Sequence, residues 1–384
     1  MKISVLGVAS TKFGELWGKS LQDLMAEAQL AALKDASLQP SEVQAIFVGN
    51  MLAEKFEGQA HLGAMASQNL NLNVPSLRIE CACASGGAAI AAGVRAILSG
   101  MHEVVMVIGA EKMTDVPTPM ITSALMGAAL YQTEHFAGAT FPSLFALVTR
   151  LYMQKYGLTQ EQLASVSIKN HFNATLNPLA QFSKKITLDD VLQSPIVADP
   201  LRLIDCSPVS DGSCAMIISS YDYAKKIENT GINIIATGMG TDALDLASRD
   251  EWTSFKATKI AAEQAYRMAG IEPKDIDIAE VHDAFSLSEI IALEDLEFFA
   301  PGTAGVASIL GKTALTGYIP INSSGGLKAK GHPVGASGLS QAVEIVNQLR
   351  GVCGARQAKS PKIGLTHSMG GVGTTSVVHI FEKE

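Results

Sequence analysis

The stretch Ile79-Glu80-Cys81-Ala82-Cys83-Ala84-Ser85-Gly86-Gly87 brings two thiols to the start of a run of small residues. Before it, Val74 to Ile79 carries a proline and alternating apolar residues that suit an extended approach. After it, Ala84 to Leu98 carries alanines and an apolar face at helical spacing. Cys83 therefore falls at a strand-turn-helix junction, where unpaired backbone N–H groups and the positive end of the helix dipole face the first side chains of the turn. That field favours the thiolate, the species that attacks an acyl carbonyl. The competing reading is a buried structural cysteine, since free Cys is among the most buried residue types. Ser85, Gly86 and Gly87 strip bulk from beside the thiol, which either admits a thioester or lets helices pack closely. Cys81 shares the facing of Cys83 but lies away from the helix start.

A nucleophilic thiol needs a base, and three histidine-bearing clusters late in the chain, the second and third of them glycine-rich, offer one. The first is Glu280-Val281-His282-Asp283-Ala284-Phe285. The second is Asn322-Ser323-Ser324-Gly325-Gly326 followed by Gly331-His332-Pro333-Val334-Gly335. The third is Thr366-His367-Ser368-Met369-Gly370-Gly371-Val372-Gly373. A strand-end histidine is often a satisfied hydrogen-bonder; with a nucleophile elsewhere in the chain, a catalytic role competes with it. A neutral imidazole can take the proton from Cys83, and a second can hydrogen-bond a thioester oxygen directly or through a water. The third cluster is either a further acid/base or a turn.

The elements that must position these residues come in a duplicated pattern. Ile3 to Val8 reads as a buried strand, Leu21 to Ala36 as a helix, and Ala45 to Val48 as a strand after a proline turn. Ala28, Ala32, Ala36, Leu38, Pro40, Glu42, Val43 and Val48 are matched by Ala261, Ala265, Ala269, Ile271, Pro273, Asp275, Ile276 and Val281 at a constant offset of 233 residues. Ala84-Ser85-Gly86 and Ala336-Ser337-Gly338 then open a helix each, leading into the strands Val104 to Ile108 and Ile363 to Thr366. The pattern predicts two similar α/β halves with right-handed crossovers. Residues 1–114 form the first part of the N-terminal half and 230–384 the C-terminal half. Residues 115–229 are an insert whose end returns to the N-terminal half. Its aromatic stretch from Phe141 to Tyr156, followed by Asn170-His171-Phe172-Asn173, reads as a cap that shapes a ligand site.

Composition sets the outer limits. With 384 residues, 47% of them hydrophobic, the chain can bury a large core. A net charge of −8 argues against a general nucleic-acid binder. Five cysteines sit in no metal-ligand spacing, and Cys81 and Cys83 are too close for an ordinary bridge, which points to a reducing, cytoplasmic setting. The first ten residues read as a strand rather than a signal sequence, and no run approaches the ~18 apolar residues of a membrane span.

Cys83-Ala84-Ser85-Gly86, Gly109-Ala110-Glu111-Lys112-Met113, Asp211-Gly212-Ser213, Gly331-His332-Pro333 and Gly370-Gly371 together resemble the thiolase family over essentially the whole chain. His282-Asp283-Ala284-Phe285, with Asn170-His171-Phe172-Asn173, is most similar to its sterol-carrier-protein-type and archaeal branch. The resemblance implies a five-layered αβαβα sandwich of two duplicated halves, with a loop domain over the coenzyme A site. It implies a homodimer or dimer of dimers, and acyl-CoA as substrate with no permanently bound cofactor or metal. It makes Cys83 the acylated residue and His332 its activator. One oxyanion hole would use His332 with a water held by His282, and a second the backbone N–H groups at Cys83 and the Gly370-Gly371 loop, with Asn322 placed beside them. Lys184, Lys185, Arg202 and Lys256 are the basic candidates for coenzyme A.

The chain departs from the family at the second catalytic cysteine, because His367 or Ser368 stands at one family position for it and Ala284 at the other. His367, the titratable group of the two, is expected to take its place. The implied activity is formation or cleavage of 3-ketoacyl-CoA through acyl-Cys83. The alternative is a thiolase-like acyl-transfer or scaffold subunit of a larger complex, since archaeal-type relatives pair with a hydroxymethylglutaryl-CoA synthase and a small zinc-ribbon/OB-fold protein. The Asn-Ser-Ser-Gly-Gly pattern disfavours a ketoacyl-carrier-protein synthase.

Overall fold

The computed structural model describes residues 2–384. Its strands are β1 Ile3–Ser10, β2 Ala45–Gly49, β3 Ser76–Ile79, β4 Val104–Glu111, β5 Ile196–Ala198, β6 Leu201–Arg202, β7 Gly212–Ser220, β8 Ile232–Thr241, β9 Ile278–Glu280, β10 Ile363–Gly370 and β11 Thr375–Lys383. Nine of them hydrogen-bond in the order β3-β2-β4-β7-β1-β8-β11-β10-β9, while β5 and β6 pair separately.

The duplication is written into that order. The run β2-β4-β7-β1 is one parallel pairing followed by two antiparallel ones, and β9-β10-β11-β8 repeats it pairing for pairing. The halves meet where Ile3 and Ser4 pair with Ile234 and Asn233. Helix Leu21–Ala36 packs on β1 and β7, and its repeat Lys256–Ala269 on β8 and β11. The first starts at a capping box between Ser20 and Asp23 and buries Leu24, Met25, Ala28 and Ala32 as one stripe. The proline turns Pro40–Glu42 and Pro273–Asp275 keep the 233-residue offset.

Helices Ser85–Leu98 and Val334–Arg350 lie between the two half-sheets, and the second touches strands of both. The result is helix, sheet, helix pair, sheet, helix: the five-layered stack that the resemblance implied. The inner helices approach closely. A Cβ on Gly86 would fall 2.8 Å from the carbonyl oxygen of Gly335, and one on Gly338 would fall 2.6 Å from the amide nitrogen of Gly87. Of the two readings of Gly86 and Gly87, close packing is the one the structure bears out, with Gly86 against the second inner helix and Gly87 against Ser368 and Val377 of the sheet.

The chain leaves the sheet after β4 and rejoins it at β7, inside the last part of the span 115–229, where a return to the N-terminal half was expected. The two ends of this excursion are tied by the buried pair Lys112 Nζ and Asp211 Oδ2, 2.7 Å apart, with Asp211 also accepting from the amides of Met113, Thr114 and Leu16. Within the insert, helix Phe141–Tyr156 buries Leu144, Phe145, Val148 and Tyr152 against the C-terminal half. Among the described residues, no helix is long and apolar enough to cross a membrane.

Replacing Gly338 by Ala should destabilise the fold by roughly 1–3 kcal/mol, because overpacking against backbone outweighs the ~1 kcal/mol of helix propensity that alanine gains. Urea denaturation of Gly338→Ala checks this; an unchanged or raised midpoint would contradict the packing argument.

Candidate active site

Between β3 and the first inner helix the chain makes a tight elbow. Ala82 sits at φ 51°, a left-handed conformation that alanine seldom adopts. Local bonds hold it there. Glu80 Oε1 accepts from the Ala82 amide at 2.6 Å, while Ser85 Oγ accepts from the Cys81 amide at 2.9 Å and donates to the Ala82 carbonyl at 2.6 Å. The elbow presents Cys83 two residues before the helix begins, with its sulfur facing its own backbone N–H and that of Gly371. Gly371 (φ 63°) belongs to the loop between β10 and β11. The buried guanidinium of Arg249 clamps that loop by donating to the Val372 carbonyl and to Thr374 Oγ1.

His332 stands two residues before the second inner helix. Its amide donates to Ser210 Oγ at 2.9 Å, and its Nδ1 lies 2.7 Å from Ser337 Oγ. Ser337's own proton goes to the Pro333 carbonyl at 3.0 Å, so the serine accepts from Nδ1–H and the Nε2 of His332 is left as a free lone pair. His282 has the opposite tautomer. Its Nδ1 accepts from the Met369 amide at 3.4 Å, which places the proton on Nε2. The two rings meet edge to face with centroids 5.3 Å apart. One imidazole is set up as a base and the other as a donor.

Cys83, His282, His332 and Gly371 line a single cavity of about 160 Å³, walled by apolar side chains such as Ile121, Phe145 and Val334. Burial governs its charges. It pushes the Cys83 thiol up to about 12, with the Glu111 carboxylate adding to the rise and the two N–H groups opposing it. It also holds His332 down at about 3 and His282 well below the ordinary histidine value. The expectation that the helix start makes Cys83 a ready thiolate is therefore overturned: burial favours a neutral thiol beside neutral imidazoles.

Other expected site residues lie elsewhere. His367 is 0% exposed and sits outside the cavity, its Nε2 3.1 Å from Thr258 Oγ1 on the outer helix Lys256–Ala269. Strand alternation is the reason, since successive β10 side chains face opposite ways. Ser368 faces the other way, so close to Gly87 that a Cβ there would lie 2.3 Å from its hydroxyl oxygen. Gly370 packs against the Cys81 carbonyl. Asn322 braces the His282 segment by accepting from the Val281 amide and donating to Glu289, both at 2.8 Å. Lys184, Lys185, Arg202 and Lys256 do not line the cavity, and Lys185 lines a separate surface groove with Phe172.

Residues for which no site role was expected hold the site together, among them Glu111 of the Gly109-Ala110-Glu111-Lys112-Met113 motif. Glu111 accepts from Asn50 Nδ2 and from the amides of Met51, Leu52 and Gly335 at 2.8–3.0 Å, tying the strand end to the start of the second inner helix. Burial raises its carboxyl to about 7 against the pull of those amides. Ser337 and Arg249 were legible only as ordinary helix and loop residues. Cys206, at the end of the insert, also lines the cavity.

The comparisons agree with this geometry. The family model "Thiolase, N-terminal domain" matches residues 3–222, and "Thiolase C-terminal domain-like" matches residues 238–383. The chain belongs to the thiolase family. As a thiolase-type acyltransferase it is 47% identical, over 99% of both chains, to the acetyl-CoA acetyltransferase of the archaeon Methanothermobacter thermautotrophicus. It is 32% identical to sterol carrier protein 2 of Oryctolagus cuniculus, over 99% of this thiolase and 72% of the rabbit protein. A chain of the Ltp2-ChsH2(DUF35) aldolase shares its fold, with a TM-score of 0.85 at 24% identity, covering 100% of this chain and 98% of that one.

A depressed pKa means that His332 takes up a proton only at low pH, so the base stays unprotonated as pH falls through the ordinary histidine range. The rate of Cys83 acylation should therefore show no acid limb near the unperturbed value of about 6.5. A stopped-flow pH profile of acylation that falls with an apparent pKa near 6.5 would contradict this.

Proposed function

We propose that this thiolase interconverts acetyl-CoA-type thioesters and 3-ketoacyl-CoA by a ping-pong route through acyl-Cys83. The opposed tautomers of His332 and His282, set around a thiol that faces two backbone N–H groups, are the observation that carries this reading. As Cys83 attacks the thioester carbonyl, His332 Nε2 takes its proton. The backbone N–H groups of Cys83 and Gly371 stabilise the carbonyl oxygen of the acyl-enzyme when it next becomes tetrahedral, a contribution of about 3–4 kcal/mol for one such donor. His282 Nε2–H, with the protonated His332, polarises the incoming thioester whose enolate must form.

The small cavity offers the acyl group a mostly apolar wall that includes Ile121, Phe145 and Val334. The assembly we propose is a homodimer across β3, an edge strand whose Leu77 is 57% exposed. Likeness to a chain of the Ltp2-ChsH2(DUF35) aldolase supports a partner of the DUF35 kind. The lack of an acid/base at His367 or Ser368 is the one feature that favours the second reading, an acyl-transfer or scaffold subunit.

Incubation with acetyl-CoA followed by peptide mapping should label Cys83 alone, and Cys83→Ala should take no label. Label on Cys81, or label persisting in the variant, would end the proposal. His332→Ala should slow acylation itself by about 100-fold or more, whereas His282→Ala should chiefly slow condensation. Single-turnover measurements of the two half-reactions separate these; normal acylation in His332→Ala would sink the assignment.

A further inference from the structure

Joining two acyl groups requires a base that removes a proton from the α carbon of the second thioester, and no histidine remains free for the task. The titratable side chains lining the cavity are Cys83, Cys206, His282 and His332. Cys83 carries the acyl group, His332 holds the proton of Cys83, and His282 donates from Nε2 while its Nδ1 accepts from Met369. We infer that Cys206, which stands on the insert at the wall of the same cavity, is the acid/base of carbon-carbon bond formation. This assignment rests on the acyltransferase reading given above.

Its setting is built rather than incidental. Cys206 follows the tight turn Leu203–Asp205 and bridges Phe285, and the next amide, Ser207, donates to the Ala284 carbonyl at 2.8 Å. The residue is thereby fixed to the segment that carries His282. Its sulfur makes only one long contact, 3.5 Å to the Arg202 carbonyl.

Lys328 supplies the counter-charge. It is 1% exposed, and its ammonium has no hydrogen-bond partner; burial pulls its pKa down, while the nearby Asp205, Cys206, Asp283 and Glu289 groups favour its charged form. The three carboxylates are already engaged. Asp205 accepts from Ser286 Oγ and the Arg202 amide, Asp283 from Asn170 Nδ2 and the Leu327 amide, and Glu289 pairs with Lys169 at 2.7 Å. A buried cation without a direct partner stabilises an anion formed nearby, and the thiol is the remaining group that can become one. At rest, burial keeps that thiol up at about 11 while Lys328 opposes the rise, so Cys206 begins the cycle protonated.

The protons balance through the cycle. In the first half-reaction Cys83 gives its proton to His332 and displaces coenzyme A from the thioester. Cys206 then gives its proton to the departing coenzyme A thiolate, leaving a Cys206 thiolate and a His332 imidazolium. In the second half-reaction the α C–H proton of the next acyl-CoA goes to Cys206, and the enolate carbon attacks the acyl-Cys83 carbonyl. Collapse breaks the carbon-sulfur bond to Cys83, whose thiolate recovers its proton from His332. Thiolysis runs the same steps backwards.

The experiment compares wild type, Cys206→Ala, Cys206→Ser and His367→Ala in two assays. One is acylation of Cys83 by acetyl-CoA, read by intact mass. The other is exchange of solvent deuterium into the acetyl methyl group. Both Cys206 variants should still acylate within about 10-fold of wild type, because a thiol with pKa near ~8.5 can leave as the anion and take its proton from water. Their exchange and condensation should fall by ~100-fold or more. His367→Ala should retain both. Wild-type exchange in Cys206→Ala overturns the inference. So does a loss of acylation in step with exchange, or an exchange defect found in His367→Ala instead. Failure of wild type to acylate at Cys83 would instead remove the acyltransferase reading beneath it.

Discussion

The site depends on one contact, the backbone-to-backbone approach of the two inner helices. Gly86 on one lies against the Gly335 carbonyl and Gly338 on the other against the Gly87 amide, at distances that leave no room for a Cβ on Gly86 or Gly338. Only that approach brings the residues preceding both helices into one cavity. Glu111 locks the arrangement from the side. A buried carboxylate is expensive to desolvate, and here it is compensated by four N–H donors drawn from two separate segments. Removing its charge would leave those donors short of their acceptor, so strand end, loop and helix start hold one another in register.

Within that frame, desolvation outweighs the helix field. A thiol moved from 9.0 to about 12 corresponds to about 4 kcal/mol against the anion. A helix terminus contributes about 0.3–1 kcal/mol at an exposed site and ~2 in favourable buried geometry. The larger effect decides the resting state, and the smaller ones, the two N–H groups at the sulfur, act where charge develops. A neutral pair also suits a cavity that must admit an uncharged thioester, because a standing ion pair would bind water that the acyl group has to displace.

How far the sequence could be read follows from which signals are periodic and which depend on facing. The duplicated frame was legible because proline turns and alanine spacings repeat at a fixed offset, and they turned out to mark the same helix, turn and strand in both halves. Cys83 and His332 stood out beside glycine runs and His282 as a polar strand end, and the fold brings the three to one cavity. His367 carried the same local signature, yet strand alternation turned it toward Thr258. Which way a side chain looks at a strand end depends on register, and a single sequence leaves that open by one residue. The insert was expected over 115–229 with its end returning to the N-terminal half, and β7, which answers β11 in the repeated strand pairing, lies in that last stretch. Cys206, Ser337 and Arg249 gave no signal of their own. Each acts through a neighbour brought in by the fold: Phe285 and Lys328 for the first, His332 for the second and the Gly371 loop for the third.

The duplication also bears on where the proposed nucleophile and base stand. Cys83 lies two residues before Ser85, where its helix begins, and His332 lies two residues before Val334, where the repeated helix begins. In the register of the repeat, which sets Ala84-Ser85-Gly86 against Ala336-Ser337-Gly338, Cys83 answers Gly335 and not His332, but each of the pair stands just ahead of an inner helix, at its positive end. That field favours a thiolate at one position and disfavours an imidazolium at the other. Its net effect on a resting ion pair is therefore small, whereas the oxyanion of a tetrahedral intermediate, formed between the two helix starts, is stabilised by both. The symmetric frame supplies an anion-favouring point, and the asymmetric residues decide how a proton reaches and leaves it. Those asymmetric residues come from the two places where the halves differ most, the His282 segment and the insert with Cys206.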